Sequence, residues 1–454
     1  MITELLSPAG SLKNMRYAFA YGADAVYAGQ PRYSLRVRNN EFDHENLKIG
    51  IDEAHALGKK FYVVANIQPH NSKLKNFIRD IEPIIAMQPD ALIMSDPGLI
   101  MMVREHFPDM PIHLSVQANA INWATVKFWK DYGLSRVILS RELALEEIEE
   151  IQKNVPEIEL EVFVHGALCM AYSGRCLLSG YMNKRDANQG ACTNACRWEY
   201  KIHKAQEDAN GDVIPVQQIE PSKQCCSNKV QDDLVQSVLV QRNDEEMFAA
   251  EEDEHGTYFM NSKDLRAIQH VDRLTHMGIA SLKIEGRTKS YFYCARTAQI
   301  YRKAIDDALS GQPFDSSLMD QLEGLANRGY TEGFLRRHVH SDYQNYEDGS
   351  SHFDYQQFCG EVIERNGDYV RVEVKNRFLV GDTLELMTPK GNLVFTLTEM
   401  RDLKGHPIDN AKGSGHIVEI PLSADIDIAY ALLIRHLPHA KTQLKTDALA
   451  YSAD

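Results

Sequence analysis

Over its first 310 residues, this chain alternates between two patterns of hydrophobic residues. Short apolar runs typical of buried strands alternate with longer stretches in which apolar residues recur every three to four positions, typical of amphipathic helices. The predicted strands span residues 4–6, 25–28, 61–66, 91–95, 112–116, 136–140, 160–164 and 281–284. The predicted helices span residues 12–21, 45–57, 73–87, 99–107, 123–132, 145–153, 265–277 and 291–309.

Eight strands that alternate with eight helices indicate an α/β fold with a parallel sheet. Eight is also the number of strands that closes a (β/α)8 TIM-like barrel, which is the fold we predict, and an open doubly wound sheet is the alternative. Several predicted helices end at a glycine, namely Gly22, Gly58, Gly133 and Gly278. This position fits a left-handed C-cap before a short loop.

The pattern changes twice after the seventh predicted strand. Residues 199–257 have no helical period, and seven of the eleven residues 244–254 are Asp or Glu. We expect an insertion there that projects from the C-terminal face of the barrel, either as a solvated excursion or as a lid. From about residue 355 apolar and polar residues alternate, with turn dipeptides at 366–367, 381–382 and 390–391. This alternation predicts a small antiparallel β-barrel-like domain.

The predicted domains are a catalytic barrel over 1–310, a connector over 311–354 and a C-terminal β domain over 355–438. Apolar content of 44% and charged content of 25% are ordinary for a globular protein. No apolar run reaches the roughly 18 residues that would predict a membrane span. A strand-like segment starts at residue 2, so we expect no leader peptide, a cytoplasmic protein and reduced thiols.

Four of the eight cysteines lie within residues 161–196, after an apolar run that leads into His165. They have the spacing C-x6-C-x15-C-x3-C and are Cys169, Cys176, Cys192 and Cys196. Thiolates bind zinc or iron–sulfur clusters. The paired C-x2-C knuckles of structural zinc are absent, which favours a [4Fe–4S] cluster over zinc. Cys294 and Cys359 lie among apolar residues and are predicted to pack in cores.

In a barrel, functional side chains gather where the strands end. The cations at these positions, which can bind a carboxylate or a phosphate, are Arg36, Arg38, Arg141, Lys283 and Arg287. Candidates for proton transfer are His165, Asp96 and Glu285. We therefore expect a small anionic ligand or a nucleic-acid backbone near this rim, although any single arginine could instead pair with a nearby acid.

Proteolysis has only weak support from motifs. Neither the HExxH motif of zinc proteases nor the GxSxG elbow of serine hydrolases occurs. A Cys–His dyad of His165 and Cys169 is conceivable, but a cluster would use Cys169 as a ligand.

The stretch Glu161-x-Phe163-x-x-Gly166-Ala167-Leu168-Cys169, continued by GRCLLS over 174–179, resembles the signature of peptidase family U32, the collagenase-like family. The segments ELLSPAG, GADAVYAG, SLKIEGR and NRGYTEGF also match blocks of that family, so the resemblance covers essentially the whole chain. The insertion departs from the family pattern around residues 222–245.

The resemblance implies hydroxylation rather than proteolysis, because members of the family act on RNA or on ubiquinone precursors. One branch is implicated in oxygen-independent conversion of the wobble uridine of tRNA to 5-hydroxyuridine, with prephenate as the hydroxyl source. Relatives carry a [4Fe–4S] cluster on four cysteines. The first three match Cys169, Cys176 and Cys192, whereas the fourth ligand, here assigned to Cys196, differs among relatives.

The implied partners are the anticodon loop of tRNA, a small anionic substrate, and a partner protein or reductant. The net charge of −15 argues against a generic nucleic-acid coat, so RNA contacts are expected to be local. Cations of the β domain form a candidate tRNA platform or merely a solvated face: Arg365, Arg371, Lys375, Arg377 and Lys390. The alternatives to a hydroxylase are a U32-type peptidase and a zinc-stapled scaffold that binds RNA or a partner.

Overall fold

The fold was analysed in a computed structural model of the chain. The structure describes residues 3–35, 40–168, 263–327, 329–336, 356–413 and 415–437, and within 201–257 it describes the backbone of five strands. None of the described helices is long and apolar enough to cross a membrane.

Eight parallel strands of the described chain close into a barrel. In chain order they are β1 (Glu4–Pro8), β2 (Ala25–Gly29), β3 (Lys60–Ala65), β4 (Ala91–Met94), β5 (Ile112–Leu114), β6 (Arg136–Ile138), β7 (Glu159–Ala167) and β14 (Ser281–Ile284). The ring closes because Leu282 of β14 pairs with Leu5 of β1 on one side and with Val162 of β7 on the other. The predicted TIM-like barrel is confirmed, and the open sheet is wrong.

The helices that surround the barrel are α1 (Leu12–Ala20), α2 (His44–Ala56), α3 (Asn71–Ala86), α4 (Pro97–His106), α5 (Trp123–Asp131), α6 (Leu145–Asn154), α7 (Val271–His276) and α8 (Tyr291–Leu309). Five of them begin at a side chain that accepts a hydrogen bond from the backbone N–H three residues on: Ser11, Asp43, Asp96, Asn122 and Ser290. These caps satisfy N–H groups that have no partner within the helix. The four predicted glycines after helices have φ between +66° and +104°, as a left-handed C-cap requires.

The predicted helix over 265–277 is wrong in its first half. Residues Asp264–Arg266 form β13, which pairs antiparallel with the end of β7 and parallel with β15 (Tyr330–Thr331). A 3-10 turn, Ile268–His270, then leads into α7. The spacing of the buried residues Leu265, Ile268 and Leu274 resembles the period of a helix, which explains the wrong prediction. Leu265 is nevertheless in a strand, because β7 extends beyond the barrel and pairs with it.

The insertion contains a sheet that the hydrophobic pattern did not indicate. Its described strands are β8 (Lys201–Glu207), β9 (Val213–Pro215), β10 (Gln236–Gln241), β11 (Met247–Asp253) and β12 (Gly256–Thr257). They form an antiparallel sheet in the order β12-β11-β10-β8-β9. Part of the acidic run belongs to β11. Because so many of its residues are charged, the alternation of apolar and polar residues that predicts a strand was not visible in the sequence.

The C-terminal region is an antiparallel β structure, as predicted. A helix in the connector, α9 (Ser317–Glu323), precedes it. Its strands are β16 (Gln356–Asn366), β17 (Tyr369–Val374), β18 (Phe378–Leu379), β19 (Thr383–Thr388), β20 (Gly391–Thr396), β21 (Asn410–Ala411), β22 (Ile417–Pro421) and β23 (Leu432–His436). Six of them form one sheet in the order β20-β19-β23-β16-β17-β22. The residues from Pro438 onward lie outside the described residues.

This β region packs on the side of the barrel, against α1 and α8. Arg296 of α8 donates a hydrogen bond from Nη1 to Oε1 of Glu385 at 2.9 Å, and both side chains are buried. The rings of Phe292 and Phe358 stack with centroids 4.7 Å apart. The hydroxyl of Tyr21 donates to the carbonyl of Met387 at 2.9 Å. Charged, aromatic and backbone groups thus all join the two parts.

Candidate functional site

A cleft opens at the C-terminal ends of the barrel strands. Its cavity volume is about 70 Å³. Its polar and aromatic lining includes Tyr27, Asn66, Ser115, Gln117, Arg141, Phe163, Lys283, Glu285 and Arg287. The structure therefore brings together three of the five predicted cations and one predicted acid, which come from β6, β14 and the loops that follow them.

Two cations of the cleft lie near the ring of Phe163. The guanidinium carbon of Arg141 is 3.9 Å from the ring centroid, and Nζ of Lys283 is 5.4 Å from it. Lys283 Nζ also lies 4.2 Å from the ring centroid of Tyr27. Cations are attracted to the electron-rich faces of aromatic rings. The rings therefore help to hold both charges in a largely buried place.

The two cations differ in their remaining partners. Lys283 donates a hydrogen bond from Nζ to Oε1 of Glu161 at 2.8 Å. Arg141 is only 9% exposed, its Nε has no hydrogen-bond acceptor among the described residues, and its nearest acid oxygen, Oε2 of Glu285, is 3.8 Å from Nη2. Because a buried guanidinium costs free energy unless its donors are used, Arg141 is a ready binding group for a carboxylate or phosphate.

Glu285 and Arg287 follow β14, the strand that carries Lys283. The hydroxyl of Tyr27 donates to the carbonyl of Ile284 at 2.9 Å and lies 3.3 Å from Oε2 of Glu285. Arg287 donates from Nη1 to Oγ of Ser34 at 2.6 Å. Burial, reinforced by the Glu285 carboxylate, holds the pKa of Tyr27 well above its usual value, so its phenol is a neutral donor.

Glycine shapes this side of the cleft because the backbone of β2 approaches the arginine closely. A Cβ at Gly29 would lie 2.7 Å from Oγ of Ser34 and 2.9 Å from Nη1 of Arg287. Any larger residue would displace the Arg287–Ser34 pair.

The third side of the cleft is neutral and polar. Asn66 donates from Nδ2 to Oγ of Ser115 at 3.1 Å, and its carbonyl accepts from Oγ of Ser95 at 2.9 Å. The backbone N–H of Gln117 is 3.4 Å from the same Ser115 oxygen. These groups hold one another in place and leave the side chain of Gln117 at the cleft surface.

His165 does not line the cleft, although it was a candidate base. The pairing of β7 with β14 shifts by one residue after Phe163, and this irregularity turns His165 toward α8. There its ring lies 5.4–5.8 Å from the rings of Tyr293, Tyr301 and Tyr330. Burial, with the cations of nearby side chains, lowers its pKa to about 3, so His165 is a neutral core residue.

Asp96 is occupied as a helix cap. Its Oδ1 accepts a hydrogen bond from the backbone N–H of Leu99 at 2.9 Å, at the start of α4, and it does not line the cleft. Of the three candidates for proton transfer, the structure places only Glu285 beside the cations.

The remaining predicted site residues lie outside the described residues. These are Arg36, Arg38 and the four clustered cysteines Cys169, Cys176, Cys192 and Cys196. The described part of β7 ends with Ala167, which lines the cleft, followed by Leu168. The described residues that precede the cysteine-bearing stretch therefore end at the edge of the cleft.

Two other cysteines are described and pack in cores, as predicted. Burial raises the pKa of the Cys294 and Cys359 thiols to about 12. Both are fully buried, and Cys294 donates to the carbonyl of Pro8. Neither thiol has the exposed, electropositive surroundings of a reactive cysteine.

The candidate tRNA platform of the β region is largely neutralised by its own acids. Arg371 contacts Glu364 and Glu419, and Lys375 contacts Glu373. Lys390 lies 2.8 Å from Asp427. Arg365 donates to the carbonyls of Leu422 and Ile426, and Arg377 donates to Asn410. These contacts favour the alternative of a solvated face.

Reasoning from the sequence assigned no role to Phe163, which lines the cleft, or to Glu161, which is buried beneath it. Both lie in the apolar stretch of β7, two residues apart, so their side chains point to the same face of the strand. This spacing is the sequence pattern that could have identified them. An acid inside an apolar strand indicates a buried partner, and that partner proved to be Lys283.

Comparisons with known proteins found matches over most of the chain. The sequence profile of "Peptidase family U32" matches residues 10–345, and that of "Peptidase family U32 C-terminal domain" matches residues 354–435. The "tRNA hydroxylation protein P" of Escherichia coli (strain K12) is 67% identical over 452 residues, covering 96% of this chain and 99% of its own length. The protein of the same name from Haemophilus influenzae is 65% identical over 451 residues, covering 97% of each chain.

A more distant relative is named for a modification of ribosomal RNA rather than of tRNA. The "23S rRNA 5-hydroxycytidine C2501 synthase" of Escherichia coli (strain K12) is 28% identical over 402 residues, which cover 85% of this chain and 52% of that protein. The profile matches and the two near-full-length relatives lead to one conclusion. This chain belongs to peptidase family U32.

Proposed function

We propose that this protein is a tRNA-modifying enzyme that hydroxylates uridine. The observation that carries the proposal is the identity of 67% and 65%, over nearly the whole chain, to two proteins named for tRNA hydroxylation. The finer proposal is oxygen-independent conversion of the wobble uridine to 5-hydroxyuridine, with prephenate as the hydroxyl source.

The cleft supports a small anionic co-substrate. Prephenate is a dicarboxylate, and the cleft offers the buried guanidinium of Arg141, whose Nε has no hydrogen-bond acceptor among the described residues, together with the ammonium of Lys283. A guanidinium binds a carboxylate through two parallel hydrogen bonds, which fixes its orientation as well as its charge. We propose that Arg141 binds one carboxylate of prephenate and that Lys283 and Arg287 complete the positive lining.

The anticodon loop would approach the open mouth of this cleft. An unstacked base in a single-stranded loop can enter such a site, whereas a paired base cannot. The acidic net charge and the internally paired cations of the β region support local and salt-sensitive contacts, or help from a partner protein.

We propose a [4Fe–4S] cluster on Cys169, Cys176, Cys192 and Cys196. Four thiols in 28 residues are a suitable donor set for such a cluster, and the chain enters this stretch from the cleft edge at Ala167. When bound, a cluster would supply one-electron chemistry beside the anion-binding side chains. Arg141, Lys283 and Arg287 would bind and orient the co-substrate independently of it.

Peptidase activity, which the family name suggests, has little support from the cleft. No histidine is among the described residues that line it, so none of these residues could act as the histidine base of a serine peptidase.

The test is mass spectrometry of tRNA nucleosides from a deletion strain complemented with intact or altered genes. We expect 5-hydroxyuridine derivatives to disappear on deletion, to return with the intact gene, and to stay absent with Cys169→Ala or Cys176→Ala. Cys359→Ala, which alters a buried core thiol, should restore the modification. Unchanged derivatives in a deletion strain that lacks parallel pathways would contradict the proposal.

Metal analysis separates the enzyme from the zinc-stapled scaffold. Protein purified without oxygen should contain iron and sulfide, both lost in Cys176→Ala. One zinc per chain, with no change of tRNA nucleosides on deletion, would support the scaffold instead.

A further inference from the structure

A chain of charges with alternating sign runs through the barrel interior below the cleft. Nζ of Lys60 lies 3.2 Å from Oε2 of Glu4, and Nη1 of Arg136 lies 2.7 Å from Oε1 of Glu4. The same Nη1 is 3.1 Å from Oε2 of Glu161, whose Oε1 accepts from Nζ of Lys283 at 2.8 Å. Lys60 is exposed at the bottom of the barrel, whereas the other four side chains are at most 7% exposed.

Strand register brings these residues together. Glu161 pairs with Ile138 of β6 and with Ser281 of β14, so the strands on both of its sides carry its cationic partners. Each of its two carboxylate oxygens accepts from a different cation, Arg136 below and Lys283 above. Buried charges are tolerated only when paired and hydrogen-bonded, and Glu161 is the group that joins the buried chain to the cleft.

Lys283 is the upper end of the chain and lines the cleft. Burial lowers its pKa, and the carboxylate of Glu161 opposes that effect through charge and a hydrogen bond. Without Glu161, burial would favour the neutral amine, which attracts an anion far less.

We propose that Glu161, held by Arg136, is a positioning residue of the cleft that fixes the Lys283 ammonium below Tyr27 and Phe163 and keeps it charged for a carboxylate of the co-substrate. The inference rests on the proposed anionic co-substrate, but the charge state of Lys283 can be measured without it. It assigns a role to a residue that does not itself contact the ligand.

Other groups also face Lys283. Glu285 and Arg287, at the end of its own strand, have opposite effects on its charge. On β5, burial holds the pKa of His113 well below its usual value, so that ring is neutral, and Tyr27 on β2 is neutral as well. Glu161 is therefore the acid in direct contact that decides the charge.

The first experiment is an NMR titration of protein labelled with 13C at lysine Cε, with the Lys283 signal assigned through Lys283→Met. Glu161→Gln should move the midpoint of Lys283 to lower pH, because removing the acid destabilises the ammonium. Glu159→Gln is the matched control: Glu159 lies on the same strand and contacts Arg136 at 2.7 Å, but it is half-exposed and is not a partner of Lys283. An unchanged Lys283 midpoint in folded Glu161→Gln protein would overturn the proposal.

The second experiment measures prephenate binding to the whole protein as a function of pH. In Glu161→Gln the affinity should fall about tenfold per pH unit above the lowered Lys283 midpoint, while the intact protein stays flat over that range. Adding Lys283→Arg should remove the pH dependence, since an arginine stays charged. A shifted midpoint with unchanged pH dependence of binding would overturn the carboxylate role.

The two experiments separate this inference from the proposed function. One outcome is that intact protein binds no prephenate while Glu161→Gln still shifts the Lys283 midpoint. In that case prephenate is not the co-substrate and Lys283 does not bind its carboxylate. The charge coupling between Glu161 and Lys283 would nevertheless stand. Thermal unfolding of each variant establishes that it is folded before titration. Should Glu161→Gln not fold, Glu161→Asp, which keeps the charge but withdraws the carboxylate from Lys283, tests the same contact, with a smaller shift expected in the same direction.

Discussion

Arg141 shows how a single residue acquires a function from its neighbours. Its charge alone does not distinguish it from the other cations of the rim. Arg287 donates to Ser34 and Lys283 donates to Glu161. Arg141 stacks on Phe163 and lies 3.8 Å from Glu285, and its Nε has no acceptor among the described residues. The capacity to bind a new anion depends on donors that the protein itself does not use.

Arg141→Gln should raise the KM for prephenate by about 10- to 100-fold, since a charge-assisted hydrogen bond to a carboxylate contributes about 1.5–3 kcal/mol. Arg141→Lys should recover only part of the loss, because it keeps the charge without the planar fork. Steady-state kinetics of tRNA hydroxylation measures both. Arg79→Gln, at an exposed arginine away from the cleft, is the control. A KM in Arg141→Gln equal to that of the control would exclude this role.

Among the strands, the join between β7 and β14 determines the geometry of the cleft. Gly166 has φ of +104°, and a Cβ there would lie 2.3 Å from the carbonyl oxygen of Glu285. The glycine therefore lets two backbones approach at the point where β14 delivers Glu285 and Arg287 to the cleft. Phe163 precedes the same irregular pairing and His165 follows it.

Gly166→Ala should destabilise the protein by more than about 3 kcal/mol, because it combines a left-handed backbone with a clash against backbone atoms. Gly278→Ala is the matched control, with φ of +81° and no atom within 4 Å of the added Cβ. It should cost only about 1–2 kcal/mol. Urea denaturation followed by circular dichroism compares the two, and equal losses would show that the close approach is not restrictive.

At the scale of the molecule, a buried ion pair connects the barrel to the β region. Glu385 accepts from Arg296 and also contacts Gln356, Asn392 and His436. The two aromatic rings that stack beside it come one from each part. A rigid connection would keep any surface of the β region at a fixed distance from the cleft.

Arg296→Met should cost about 3–5 kcal/mol of stability, since it leaves a buried carboxylate without its cation. Glu385→Gln should cost a comparable amount, and the double variant less than the two together. Lys390→Met breaks an exposed pair with Asp427 and should change stability by less than about 1 kcal/mol. Additive losses in the double-mutant cycle would show that the ion pair does not couple the two parts.

How much of the fold could be predicted depended on how far apart in the chain the interacting residues lie. The barrel, its helices and the β region followed from local periodicity and caps, and seven of the eight predicted helices match observed ones to within two residues at each end. The failure at 265–277 arose because Asp264–Arg266 pair with the end of β7, about 100 residues earlier in the chain. No local pattern reports such a pairing.

By itself the sequence determined the fold class, the positions of the cations and acids at the strand ends, and the spacing of the clustered cysteines, because all three depend on neighbours in the chain. Only the tertiary structure decided which of those groups can act. The irregular pairing of β7 with β14 turned His165 into the core. Contacts across the barrel committed Lys283 to Glu161, whereas Nε of Arg141 has no acceptor among the described residues. These outcomes depend on strand register, which side chains far apart in the chain fix together.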